Sequence, residues 1–191
     1  MEKLSKEKSR ALLESTTTEA HLLQHALAVS VAMGAMARHF GADADYWQAV
    51  GLLHDYDYQQ HPDEHLQHTA APLAGAGVDD ESVRAILSHG WGLCTDVQPQ
   101  TDLEKSLYAV DELTGLISAT AKMRPSGIAD LEPKSVKKKF KDKAFAAKID
   151  RTVIQQGADM LGMELGALIA LCIEGMKPCA TELGLLGTGQ G

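Results

Sequence analysis

Imidazoles and carboxylates that could share a metal ion crowd the first half of this chain. All eight histidines of the 191 residues lie between His21 and His89. Five stretches carry the chemistry: His25 within an apolar run, the adjacent pair His54 and Asp55, then His65 with His68, then His89, and finally Asp111. Imidazole mixed with carboxylate suits iron, manganese, zinc, cobalt or nickel, whereas an all-oxygen set would point to magnesium or calcium. The two oxygens of Asp55 can each face a different ion, so this residue can bridge a pair of metals about 3.5–4 Å apart and help hold an activated water. Taken singly, these residues have plainer readings. A histidine among Leu22, Ala26 and Val29 is an ordinary interface residue, His-Asp dipeptides arise by chance, and His61 beside Pro62 reads as a loop residue. The conjunction carries the weight.

Ligands so far apart in sequence need several elements to bring them together. Apolar residues recur at helical spacing, as in Leu22, Ala26, Val29, Met33, Met36 and Phe40, and aromatics make up only 5 % of the chain. An all-α fold is expected. The threonine run ending at Thr18 predicts the cap of a helix from about Glu19 to His39, stopped by Gly41. Asp43 or Asp45 starts a helix running into His54 and Asp55, and Gln59 to Pro62 reads as a loop. Asp63 is expected to cap a helix from Glu64 towards Gly75, disturbed at its end by Pro72. On such a helix His65 and His68 would share a face. Asp79 or Asp80 caps the next helix, which ends at His89 and Gly90. Thr101 and Glu104 form a capping-box pattern for a helix from Asp102 to about Met123, stopped by Pro125. Two further helices are expected over about Phe145 to Leu161 and Glu164 to Cys179.

The length fits one domain with a real core. It is placed at 1–183, with a metal-site core over about 19–123, C-terminal helices over about 131–183, and a flexible tail over 184–191. Three cysteines without CxxC spacing suggest a reducing, cytoplasmic setting. The N-terminal MEKLSKEKSR has no apolar signal-type region, and the apolar stretch Leu165 to Ile173 is too short to span a membrane, so no membrane association is expected. Net charge is -8, but the window Lys134 to Arg151 is +6 and the remainder -14. That overall charge makes nucleic acid an unlikely partner, and the window has only Phe140 and Phe145 for base stacking. The contrast leaves the window either as a solvated helix face or as a clamp for phosphate, with Lys137 and Lys138 the foremost candidates.

The ordered set His25, His54–Asp55, Asp111 resembles the signature of the HD-domain superfamily of metal-dependent phosphohydrolases. Its context matches too, in HALAV at His25, GLLHD ending at Asp55, AILSH ending at His89, and LEKSLYAVDELTG around Asp111. The last two are similar to stretches of bacterial di-iron enzymes that split dinucleoside tetraphosphates. The resemblance implies a compact helical bundle binding one or two divalent transition ions through His25, His54, Asp55, His65, His89 and Asp111. His65 is preferred over His68 because its spacing to Val78 reproduces the family's, and His25 over His21 for its H-x-L-x-V context. His68 is then a neighbour facing substrate. The implied reaction is hydrolysis of a phosphomonoester or phosphodiester of a small, nucleotide-like substrate. The alternatives are a di-iron oxygenase of the same superfamily and a non-catalytic nucleotide-binding module. One departure stands out: Tyr58 occupies a position where many relatives have lysine, and Asp57 adds an acid. Asp57 is open to three readings: a general base acting beside Asp55, a partner to a metal-bound imidazole, or a plain helix-end residue.

Overall fold

The caps written into the sequence account for most of the helix starts. In the computed structural model, which describes residues 3–188, the regular elements are helices, and the only bridges among the described residues are isolated ones. An N-terminal helix, α1 (Lys6–Thr16), was not anticipated; Ser5 caps it through the Lys8 amide, and Ser9 bonds the carbonyl of Ala49 at 2.8 Å. Two helices form the central pair: α2 (Ala20–Phe40), ended by left-handed Gly41, and α3 (Ala44–Leu53), capped by Asp43. Then come the short α4 (Ala70–Gly75), α5 (Asp80–Ser88) capped by Asp79, and the long α6 (Asp102–Lys122) with its complete capping box. The basic stretch forms α7 (Pro133–Lys141), followed by α8 (Arg151–Met160) and α9 (Leu165–Met176).

Six local expectations differ from what forms. The Thr18 cap is replaced: Glu19 starts α2 with no side-chain bond of its own, and Gln59 Oε1 accepts the amides of Thr18 and Glu19 at 2.8 and 3.0 Å. That cap comes from 40 residues away, so no local pattern could reveal it. The helix expected from Glu64 towards Gly75 is split into a 3-10 turn, Pro62–Glu64, and the short α4, because Leu66 takes a left-handed φ of 67° that a helix cannot contain. Pro72 falls in the first turn of α4, where its missing N–H has no helical acceptor to lose. Helix α8 starts at Arg151 rather than near Phe145, and Pro178 turns the end of α9 into a 3-10 turn, Lys177–Cys179. The segment from Gly184 is not loose throughout: Leu185 is buried, and Ile128 N–H donates to its carbonyl at 3.0 Å. The rest of the expected tail, 189–191, lies outside the described residues.

Helix α2 is the hub, packed on α3, α6 and α9, while α6 also meets α5, α7 and α8. By length and composition α2 could cross a membrane, but its apolar residues Val29, Ala32, Met33, Met36 and Ala37 are buried in the core. Close approach of α2 and α3 requires Gly51, since a Cβ there would meet Met33 Cγ at 2.9 Å and Ser30 Cα at 3.1 Å. This contact lies one turn before His54 and sets how near the first two ligand-bearing helices can come.

Candidate metal centre

Each of the six implied ligands lies where its element faces the same point. His25 is in the first half of α2, and His54 is the C-cap of α3 with Asp55 just beyond it. His65 follows the 3-10 turn, His89 is the C-cap of α5, and Asp111 is midway along α6. The imidazoles are preset by what holds their other nitrogen. His54 Nδ1 donates to Gly51 O at 2.8 Å, His89 Nδ1 to Ile86 O at 2.6 Å, and His65 Nδ1 to Asp57 Oδ1 at 2.8 Å. All three therefore turn Nε2 inward. The His25 and His54 Nε2 atoms stand 3.2 Å apart, as do those of His65 and His89.

Asp55 sits between these two pairs. Its Oδ2 is 3.6 Å from His25 Nε2 and 3.4 Å from His54 Nε2, while Oδ1 is 3.2 Å from His65 Nε2 and 3.6 Å from His89 Nε2. Asp111 completes the first group, with Oδ1 2.9 Å from His25 and 3.4 Å from His54, and its Oδ2 reaches to 4.0 Å from His89. The donors fall into overlapping triads, each compact enough to hold an ion: His25, His54, Asp55; then Asp55, His65, His89; and His54, His89, Asp111. The mixed nitrogen and oxygen set fits one or two divalent transition ions.

The electrostatics belong to a preformed cation site. Burial works against charge on Asp55 and Asp111, yet the surrounding imidazoles outweigh it and hold both carboxyls well below the ordinary range. Burial likewise disfavours protonated His54, but Asp55 and Asp111 prevail and raise its pKa well above normal. Against the same desolvation, Asp55 and Asp57 raise His65 to about 9. Asp57 is held at about 2: burial pushes it up, but the His65 imidazole and the amides of Leu66 and His68, at 3.1 and 3.0 Å, more than compensate. Buried and turned to the back of His65, Asp57 is absent from the cavity lining. Of its three readings, the partner to an imidazole matches this geometry and the general base does not.

The centre opens into a cavity of about 410 Å³. Leu22, Leu93, Ile149 and Val153 supply apolar wall, and Tyr58 sets its ring edge-on to His65. Glu112 also lines it, a residue the sequence reading passed over although it directly follows Asp111. Burial, then the neighbouring Asp111 charge, lifts its carboxyl to about 7, and Oε2 accepts the Asp150 amide at 3.1 Å. His21 stands at the cavity with its side chain 72 % exposed, paired with Glu19, while His25 one turn later points in.

Three expected substrate-contacting residues do not reach the cavity. His68 points outward, bonded to Glu64 and stacked on His61, because left-handed Leu66 breaks the helical face it would have shared with His65. Lys137 is paired with Glu164 at 2.7 Å across α7 and α9, and Lys138 is exposed on α7; neither lines the cavity. The basic window folds otherwise than a phosphate clamp. The Arg151 guanidinium donates to the carbonyls of Phe140, Asp142, Phe145, Ala146 and Ile149, tying up the loop before α8. What this segment brings to the cavity is Ile149, together with Val153 from the first turn of α8.

Neither the curated proteins nor the solved structures contain a match to this chain. The family model described as HD domain matches residues 22–116, about half of the chain, and that span contains every residue of the centre from His25 to Asp111. With this match laid over the histidine–aspartate triads, the chain belongs to the HD-domain family, a superfamily of metal-dependent hydrolases.

Proposed function

We propose that this protein is a metal-dependent phosphohydrolase that cleaves a phosphomonoester or phosphodiester of a small, nucleotide-like substrate in the cytoplasm. The observation that carries the proposal is Asp55, whose two oxygens face two separate histidine pairs at the floor of one cavity. Divalent ions bound there supply an acidified water as nucleophile and neutralise charge on the phosphoryl oxygens. The chain's own part is positioning. His54, His65 and His89 are held by their Nδ1 bonds so that Nε2 needs no rearrangement to bind. Asp55 ties the two groups to one spacing, and Asp111 adds the negative charge that makes a pair of dications tolerable.

The cavity lining also bears on substrate. It contains no lysine or arginine, so extra phosphates would meet Glu112 and the centre's own carboxylates without a compensating side chain. This favours a substrate with a single phosphate over a polyphosphate chain. The apolar wall of Leu22, Leu93, Ile149 and Val153 suits a flat or apolar organic group beside that phosphate. The three cysteines are free thiols, in keeping with a reducing compartment.

The test is metal analysis of protein purified without chelator, followed by a phosphatase and phosphodiesterase screen with added manganese, cobalt and nickel. Turnover of a monophosphate ester or a simple diester, unaffected by removing oxygen, is expected. Activity that stops without oxygen would establish an oxygenase instead, and absence of both bound metal and turnover would end the hydrolase reading.

A further inference from the structure

The turn that delivers His65 to the centre carries another set of donors on its outer side. His61, Glu64 and His68 each present a ligand atom, and the three atoms lie within 4.8 Å of one another. His68 Nε2 is 2.8 Å from Glu64 Oε2, and the His61 and His68 rings stack with centroids 3.9 Å apart. None of the three lines the inner cavity, and the Glu64 and His68 side chains are 60 % and 43 % exposed. The backbone explains the division. The 3-10 turn Pro62–Glu64 and left-handed Leu66 send His65 inward and leave its neighbours facing solvent.

This outer set is held in place. Asp57 anchors both of its ends, its carbonyl accepting the His61 amide at 2.9 Å and its carboxylate the His68 amide at 3.0 Å. Little backbone ordering is then left for a ligand to impose. Two imidazoles and one carboxylate match a borderline ion such as zinc, nickel or cobalt, and offer too few oxygens for calcium. Three protein donors leave further coordination positions to water.

We propose that His61, Glu64 and His68 form an outer binding site for one borderline divalent ion, separate from the inner centre and independent of the reaction performed there. An ion at this position links the two ends of the turn from which His65 reaches inward. The test is zinc stoichiometry on the chelator-stripped full chain, by equilibrium dialysis and metal analysis. The double variant His61→Ala/His68→Ala is expected to bind one zinc ion fewer per chain than the parent. The loss should add to that of Asp55→Ala, which removes inner ions only. Glu64→Gln, which keeps the side-chain shape, should weaken the same ion. An unchanged zinc count in the double variant would overturn the proposal, as would a missing ion that Asp55→Ala alone also removes. Circular dichroism of the variants controls for folding.

Discussion

At the scale of single residues, the centre depends on which atom each side chain turns inward. Asp55 faces both histidine pairs, so Asp55→Ala should strip metal from the inner centre; a variant that retains full content by metal analysis would contradict its bridging position. Asp57 acts through His65, holding its Nδ1 and the two amides that shape the following turn. Asp57→Asn can keep an acceptor for His65 Nδ1 and the Leu66 amide but sets its NH2 against the His68 amide, so it should loosen the turn and lower inner metal affinity about 10–100-fold, read by competition with a chelator. Slowed turnover with unchanged metal affinity would instead identify Asp57 as a general base.

At the scale of elements, caps and close approaches decide where ligands arrive. Gly51 lets α2 and α3 approach and its carbonyl orients His54, so Gly51→Ala should cost about 1–3 kcal/mol of stability and also reduce metal retention. Thermal melts with and without metal would measure both effects. Asp79 caps α5, the helix that ends in His89, and its carboxylate also accepts the Leu4 amide. Burial raises its pKa, but the Ser82 hydroxyl and amide and the Leu4 amide outweigh this and lower it from 3.8. A depressed carboxylate contributes stability above its unfolded pKa and loses it as pH falls through the folded one. Asp79→Ala should therefore cost about 1 kcal/mol at neutral pH, and urea melts should show the gap narrowing in acid.

At the scale of the whole molecule, the contrast between a -14 body and a +6 segment resolves into structure. Lys137 pairs with Glu164, Lys139 lies over the Phe145 ring, and Arg151 gathers carbonyls, while the cavity receives apolar side chains from this region. Replacing Lys137 and Lys138 together by glutamine should leave the Michaelis constant for a phosphate ester unchanged. A marked rise would show that the segment does reach substrate.

The sequence by itself determined the donor types, their order and most helix starts. Asp43, Asp79 and the Thr101–Glu104 pair act on amides two to three residues away, and Gly41 stops a helix through its own φ, so such signals are complete within one turn of chain. Tertiary structure decided the rest, because each remaining question turned on a distant partner or a single torsion. One left-handed residue, Leu66, separated His65 from His68, and burial against His65 gave Asp57 its place. Gln59 capped a helix 40 residues earlier in the chain. The cavity wall, with Glu112 at its edge, exists only where α6 and the start of α8 come together, a juxtaposition that no local spacing encodes.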